Sequence, residues 1–314
     1  MSKLVKHTDD ASLAAALPLR PVGAADLGHA APRSRWSDTW RQFRRHRLAL
    51  VSLAVLALMG LAVIVGPALL PYDPERIDFA AKSQPPSLAH PMGTDELGRD
   101  QLVRVLDGGR ISLAVALAVV VVAMTVGVTV GAVAGYAGGV VDNALMRLVD
   151  VFYSMPGLFV IILVVTLVGP RFATIVLVLG LLRWMTTARL VRGTFLSLRE
   201  KEFVEAARAV GAGHARIVVR HLLPNTMSPV IVAATLGIAG AILTESALSF
   251  LGVGFQPPQA TWGRMLQEAQ RTVVNDGQWW RGFFPGLMIF LTILAVNFVG
   301  DGLRDALDPR RVGR

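Results

Sequence analysis

Apolar blocks long enough to cross a bilayer of about 30 Å hydrocarbon thickness, several of them uncharged, alternate with polar intervals along most of this chain. The first block is 48–70 and carries no charge. Others lie within 111–135, at about 147–168, about 173–195, about 226–249 and about 283–300. The pattern predicts an all-α membrane protein with six transmembrane helices. Pro156 is expected to kink the third span, and Pro229 falls in the first turn of the fifth. In the second span Gly127, Gly131 and Gly135 recur four apart, a spacing that lets helices approach closely in lipid.

The polar intervals set the topology. Arg33, Arg35, Arg41, Arg44, Arg45 and Arg47, with Trp36 and Trp40, stand directly before the first span and mark the cytoplasmic interface. Residues 1–47 are therefore read as a cytoplasmic tail with a basic juxtamembrane segment. Its first 32 residues have no apolar core, so they read as disordered, with no removable signal peptide. Residues 71–110 form a periplasmic or extracellular loop, broken by Pro71, Pro74, Pro85, Pro86 and Pro91. Its five basic residues run against the charge rule, but its length and acids make that tolerable. The core is 111–304, with 251–281 as an outer loop, and 305–314 returns to the cytoplasm. Six crossings put both termini and the central interval 199–224 on the same basic side.

That central interval has its own design. Phe203, Ala206, Ala207 and Val210 recur at helical spacing and are expected to share one face of a short helix, with Glu202, Glu205 and Arg208 off that face. Gly211 and Gly213 break the helix cheaply, since glycine enters left-handed backbone space without penalty. A second short amphipathic run over Arg216–Arg220 is expected to close at Pro224. A compact helix–turn–helix between two spans, with small residues on its face, is suited to docking a partner.

The interval also resembles the EAA loop of bacterial ABC-transporter permeases, E-A-A, three residues, G, nine residues, then I-x-L-P. Glu205, Ala206, Ala207, Gly211, Leu223 and Pro224 fall in register, and His221 stands where the general pattern has Ile. The reading R-H-L-L-P-N at 220–225 matches the peptide-permease branch. H-P-M-G-T-D-E-L-G-R-D (90–100), A-L-S-F-L-G-V-G-F-Q-P-P (247–258) and V-G-D-G-L-R-D-A-L-D-P-R (299–310) resemble the C-type permease subunit of dipeptide/oligopeptide ABC importers. The likeness covers roughly 40–310. It implies a type I ABC-importer permease fold in the bacterial inner membrane, one half of a heterodimer with a B-type permease subunit. It also implies one or two ABC ATPase subunits and an external solute-binding protein. Phe203, Glu205, Ala206, Ala207, Val210, Gly211, His221, Leu223 and Pro224 would then form the ATPase-coupling element, with Pro224 a rigid exit into the fifth span. Nickel and glutathione are carried by permeases of the same kind, so the solute stays open between these and peptides.

Composition narrows the chemistry. The 314 residues are 53% hydrophobic, with mean hydropathy +0.53 and net charge +9. The basic residues cluster beside apolar blocks, which points to membrane lipid rather than nucleic acid. Cysteine is absent, excluding disulfides, thiolate chemistry and Cys-based zinc sites. There is no P-loop, no H-E-x-x-H and no G-x-S-x-G, and the six histidines do not cluster. The chain is read as no enzyme, with no catalytic residue, metal or cofactor of its own; ATP and Mg belong on partner subunits.

Ionisable residues inside spans are functional candidates by default. Asp150 is expected to pair with Arg147 one helical turn away. Arg183 either meets an acid from a partner subunit or lines the pathway. Glu245 either faces the pathway or hydrogen-bonds Ser246 and Ser249. Trp262, Trp279 and Trp280 are expected as interface anchors, or as contacts for a docked solute-binding protein. Two rivals remain, an ion-gradient secondary transporter and an intramembrane hydrolase. The first predicts inverted repeats and leaves the large central interval unexplained, the second predicts catalytic pairs within spans, and co-purification of ATPase subunits separates both from the permease reading.

Overall fold

The computed structural model describes residues 35–71 and 73–307. The tail expected over 1–32 and residues 308–314 lie outside that range. The described residues are helical, with one isolated bridge between Thr94 and Asp100 and no strand. Five helices or helix runs are long and apolar enough to span a membrane, and a bent pair makes a sixth if it crosses as one.

Helix α1 (Arg35–Phe43) leads into α2 (Arg47–Leu69), the expected first span, whose N-terminus is capped by His46 Nδ1 accepting from Ala49 N at 3.1 Å. Phe43 and Ala49 pack against Ala306 near the other end of the described chain. Helix α3 (Gln101–Ala137) is longer than the second span predicted. Asp100 Oδ1 caps it by accepting from Val103 N at 3.0 Å, so residues 101–110 are helix and not loop.

The third span departs from expectation. Helix α4 (Gly139–Ser154) and helix α5 (Gly157–Val168) meet at 80°, too sharp for one kinked rod. Proline forces the residue before it out of helical space, and Met155 is extended, so the helix ends there and restarts after Pro156. The fourth span is also two pieces, α6 (Phe172–Leu181) and α7 (Trp184–Leu198), with a break at Leu182 and Arg183.

The glycine spacing in α3 is used as predicted. A Cβ on Gly127 would stand 2.6 Å from Thr187 Cβ, and one on Gly135 2.6 Å from Phe195 Cβ, while Gly131 faces the Ala188 carbonyl and Val191. The two backbones of α3 and α7 therefore touch along three turns, a contact that only glycine permits. The main apolar core lies nearer the start of α3, where Val115 and Val119 meet Ile175 and Leu179 of α6.

Helix α8 (Glu202–Ala209) follows α7. After it, helical backbone runs without interruption from His214 to Phe250, as α9 (His214–Arg216), a π-helical segment Ile217–Leu222 and α10 (Leu223–Phe250). The expectation that Pro224 closes a separate short helix is thus not met. A proline inside a helix lacks the N–H and crowds the carbonyl four residues back; here the π-helical turns directly upstream widen the helix. The loop 251–281 contains an unpredicted helix, α11 (Trp262–Asp276), and α12 (Trp279–Leu307) ends the described chain. The starts of α2 and α10 and the ends of α3, α7 and α12 gather at one end of the bundle with α8, the foot end.

Candidate functional site

Helix α8 is stopped at Gly211, whose φ of +83° only glycine adopts cheaply. The N–H of Gly211 donates to the Arg208 carbonyl at 2.9 Å, and that of Ala212 to the Ala207 carbonyl at 2.9 Å. This double bond pattern is the Schellman closure, and it satisfies carbonyls the helix end would otherwise orphan.

The four residues expected to share one face divide between two. Val204 and Ala207 turn inward and join Val191, Phe195, Ile217 and Leu222 in one buried cluster with Ala132 and Val230. Phe203 and Ala206 face out, and Val210 is 85% exposed. The sequence missed Val204 because the positions three and four residues after Phe203, Ala206 and Ala207, are both apolar, so a stripe from Phe203 fits a helical period as well as one from Val204 through Ala207. Glu205 and Arg208 are exposed beside the outward stripe. Tyr136 Oη and His214 Nδ1 lie 2.7 Å apart, tying the end of α3 to α9. Leu223 packs on the cluster, Pro224 is exposed, and His221 is half-buried, its carbonyl accepting from Asn225 Nδ2 at 2.6 Å. The result is a short helix gripped from behind by three spans, presenting an apolar stripe that stays exposed among the described residues.

The charged candidates sit elsewhere. Asp150 does not pair with Arg147. Arg189 Nη2 from α7 donates to its Oδ1 at 2.6 Å, and the same guanidinium stacks 4.2 Å over the Tyr153 ring. Arg183 donates to Thr244 Oγ1 at 3.0 Å. Glu245 is fully buried and accepts from Ser249 Oγ at 2.8 Å, with Ser112 Oγ at 3.5 Å. Of the hydrogen bonds expected for it, the one to Ser249 is present.

The far end holds a polar network the sequence reading did not assemble. The segment 90–100 folds back over the starts of α3, α11 and α12. Asp95 is buried, taking Leu97 N at 2.8 Å and Arg99 N at 3.0 Å on Oδ1, with Arg99 Nε at 2.7 Å and Arg104 Nη1 on Oδ2. Burial pushes its carboxyl up most strongly, but Arg104, Arg99 and the two backbone N–H groups together bring it below the usual carboxylate range. Arg104 also donates to Glu268 Oε2 at 3.0 Å, linking the strap to α11. Trp262 is fully buried with Nε1 on the Val105 carbonyl at 2.8 Å, and Trp280 donates to the Thr94 carbonyl at 3.2 Å. These two are core pins rather than interface anchors, because each indole N–H finds its acceptor inside the fold; Trp279 alone of the three is exposed. The signal for this network in the sequence is the alternation of acid and base over Asp95, Arg99 and Arg104.

Comparison with known proteins adds an independent line. The profile of the family described as "binding-protein-dependent transport system inner membrane component" matches residues 127–313. That of the "N-terminal TM domain of oligopeptide transport permease C" matches 34–86. The chain is 46% identical over 280 residues to the oligopeptide transport system permease protein OppC of Escherichia coli, covering 88% of this chain and 92% of that one. It is 43% identical over 273 residues to the dipeptide transport system permease protein DppC of Bacillus subtilis, covering 87% and 85%. Among solved structures, a chain of the MetNI methionine ABC transporter in an inward-facing conformation superimposes with a TM-score of 0.53 at 18% identity. It covers 65% of this chain and 96% of its own.

Proposed function

The chain belongs to the family of inner-membrane components of binding-protein-dependent transport systems, and we propose that it serves as one permease half of an ATP-driven importer of di- and oligopeptides. Peptides are favoured over nickel or glutathione because the relatives at over 40% identity are named for dipeptide and oligopeptide transport. Its companions in this reading are a second, B-type permease chain, one or two ATPase subunits that bind ATP and Mg, and an external solute-binding protein. The chain itself performs no catalysis and holds no cofactor.

The observation that carries the coupling role is the outward stripe of Phe203, Ala206 and Val210 on a helix clamped from behind. In this reading the stripe seats in a cleft of an ATPase subunit on the cytoplasmic side, and Glu205 adds polar contacts at its edge. Closure of the ATPase dimer pushes α8, and Val204 and Ala207 pass the push to Val191 and Phe195 of α7 and Leu222 at the entrance to α10. The spans then alternate between access from one side and from the other. Gly211 holds the turn, and the helical continuity from His214 into α10 takes the place of a rigid proline exit.

The test is to replace Val210 and Phe203 together with glutamate in the assembled importer. Both side chains are exposed, so folding and insertion should persist while ATPase subunits no longer co-purify and uptake is lost. Unchanged uptake with ATPase subunits still bound would overturn the coupling role.

A further inference from the structure

Among the described residues, a cation near the middle of a span is left unused by this machinery. Arg183 stands at the break between α6 and α7, near the middle of the 27-residue run Phe172–Leu198. The other two arginines of that run each hold an acid, Arg189 taking Asp150 and Arg192 taking Asp142. Arg183 has no carboxylate within ion-pair range among the described residues. An unneutralised arginine at such a depth is costly and persists where it serves a function.

Its position is built. Thr244 Oγ1 accepts from Nη2 at 3.0 Å and donates its own proton to the Gly240 carbonyl at 2.8 Å, so the hydroxyl is fixed as an acceptor. Gly240 leaves room for the guanidinium, since a Cβ there would come within 2.7 Å of Nη2 and 2.8 Å of Nη1. A cavity of about 460 Å³ adjoins it, walled by Leu158, Ile161, Leu179 and Leu243 with Arg183 and Thr244 as its polar members. Guanidinium carries five N–H donors in a planar fork that matches a carboxylate, and Thr244 engages one group of them.

We propose that Arg183 is a carboxylate-binding site on the translocation path: the free C-terminal carboxylate of a passing peptide docks on the guanidinium while an apolar side chain occupies the adjoining cavity. The inference rests on the peptide-permease reading above. A fixed acid from a partner subunit would also neutralise the charge, and the experiment below separates the two occupants. A volume in the range of about 300–1,000 Å³ with few polar groups is what small-molecule sites present.

The experiment compares uptake of a leucine-ended dipeptide and its C-terminal amide, each at saturating concentration, by the complete importer in proteoliposomes. The binding protein's own preference is the same for every permease variant, so a change in the acid-to-amide ratio belongs to this chain. With Arg183→Gln the ratio should fall by about tenfold or more, the scale of one lost charge-assisted hydrogen-bonded contact. Arg183→Lys should keep much of it, and Thr244→Val, which loosens the guanidinium, should lower it several-fold and tests the site if Arg183→Gln does not accumulate. A ratio unchanged in all variants overturns the inference and leaves the importer reading standing. So does loss of the second permease chain from purified Arg183→Gln complexes, since that marks a partner's acid as the occupant. If the unsubstituted importer moves neither substrate, the peptide reading itself fails and takes the inference with it.

Discussion

Asp142 holds Arg192 at two points, Nε to Oδ1 at 2.5 Å and Nη2 to Oδ2 at 2.6 Å, and so fastens the first turn of α4 to the last turns of α7. The fork-to-fork geometry is the strong form of an ion pair. Asp142 is buried while the Arg192 side chain is a third exposed, so the loss on breaking the pair should fall below that of a fully buried one. Asp142→Asn is expected to cost about 1–3 kcal/mol. Arg192→Lys, which keeps the charge and loses the fork, should cost less. Thermal unfolding of the purified complex in detergent, followed by tryptophan fluorescence, measures both; equal melting of parent and Asp142→Asn would show that the clamp contributes nothing.

The contact between α3 and α7 should be less forgiving. At Gly131 any side chain meets the Ala188 carbonyl, which is backbone and cannot rotate away. Gly131→Val is expected to separate the helices, at the cost of about 1–3 kcal/mol typical of overpacking or more. Gly139, with open space around it, is the control position, although its φ of +54° makes asparagine rather than valine the fair substitute there. Membrane yield and melting temperature of Gly131→Val against Gly139→Asn decide the matter, and equal behaviour of the two would refute close packing.

Hydropathy alone marked out most of the long apolar helices, and Gly127, Gly131 and Gly135 announced their packing face by spacing. What stayed hidden depended on contacts distant in sequence. Arg147 and Arg189 are equally plausible partners for Asp150 in one dimension; only the packing of α7 on α4 selects Arg189. The 80° bend at Pro156 was legible as a proline but not as an angle, because the angle is set by what α5 packs against. Trp262 and Trp280 looked like anchors because a tryptophan near a span end usually is one, and their acceptors, Val105 and Thr94, lie more than a hundred residues away. At the foot, the motif gave the residues and Gly211 gave the turn, but the division of α8 into inward and outward stripes required the cluster behind it.

At Gly211 the expected effect comes from the backbone and not from crowding. No atom lies within 4 Å of where a Cβ would stand, yet φ is +83°. Gly211→Ala should cost roughly 1–2 kcal/mol by strain in the left-handed region. That loss falls on the local turn, so the spans should insert and melt nearly as before while α8 frays. We expect ATP hydrolysis by the assembled importer to continue with uptake reduced. Uptake matching the parent at equal hydrolysis would show that the turn plays no part in transmission.

The strap at the far end should fail in acid. Asp95 has a folded pKa below its unfolded value of about 3.9, so its contribution is complete above that pH and is lost as pH falls through the lower folded value. Protonation would leave Arg99 and Arg104 facing a neutral group in a buried site. Hydrogen exchange at Leu97 and Arg99, whose N–H groups donate to Asp95, is expected to quicken below about pH 4. Asp95→Asn should show faster exchange at neutral pH and no further acid step from this group. Exchange at these amides that stays flat down to pH 3 would remove the carboxylate from the account.

Glu245 tests whether a buried acid in a span must be functional. It is fully buried between α3, α10 and α11, with Ser249 and Ser112 hydroxyls around it and Trp262 N donating to Ser112 Oγ at 3.2 Å. The hydroxyls donate to it whether or not it carries a charge, so shape and acceptor oxygen are what the site requires. Glu245→Gln keeps both and should leave melting and uptake close to the parent. Glu245→Ala strips the acceptor, opens a void beside Trp262 and should cost about 2–4 kcal/mol, the combined scale of an unsatisfied polar group and a cavity. A group that met the solute would give the opposite order, with the glutamine variant stable but impaired in uptake. The pair of measurements, stability and transport on the same two variants, therefore separates a staple from a pathway residue, and the burial of Glu245 predicts the staple.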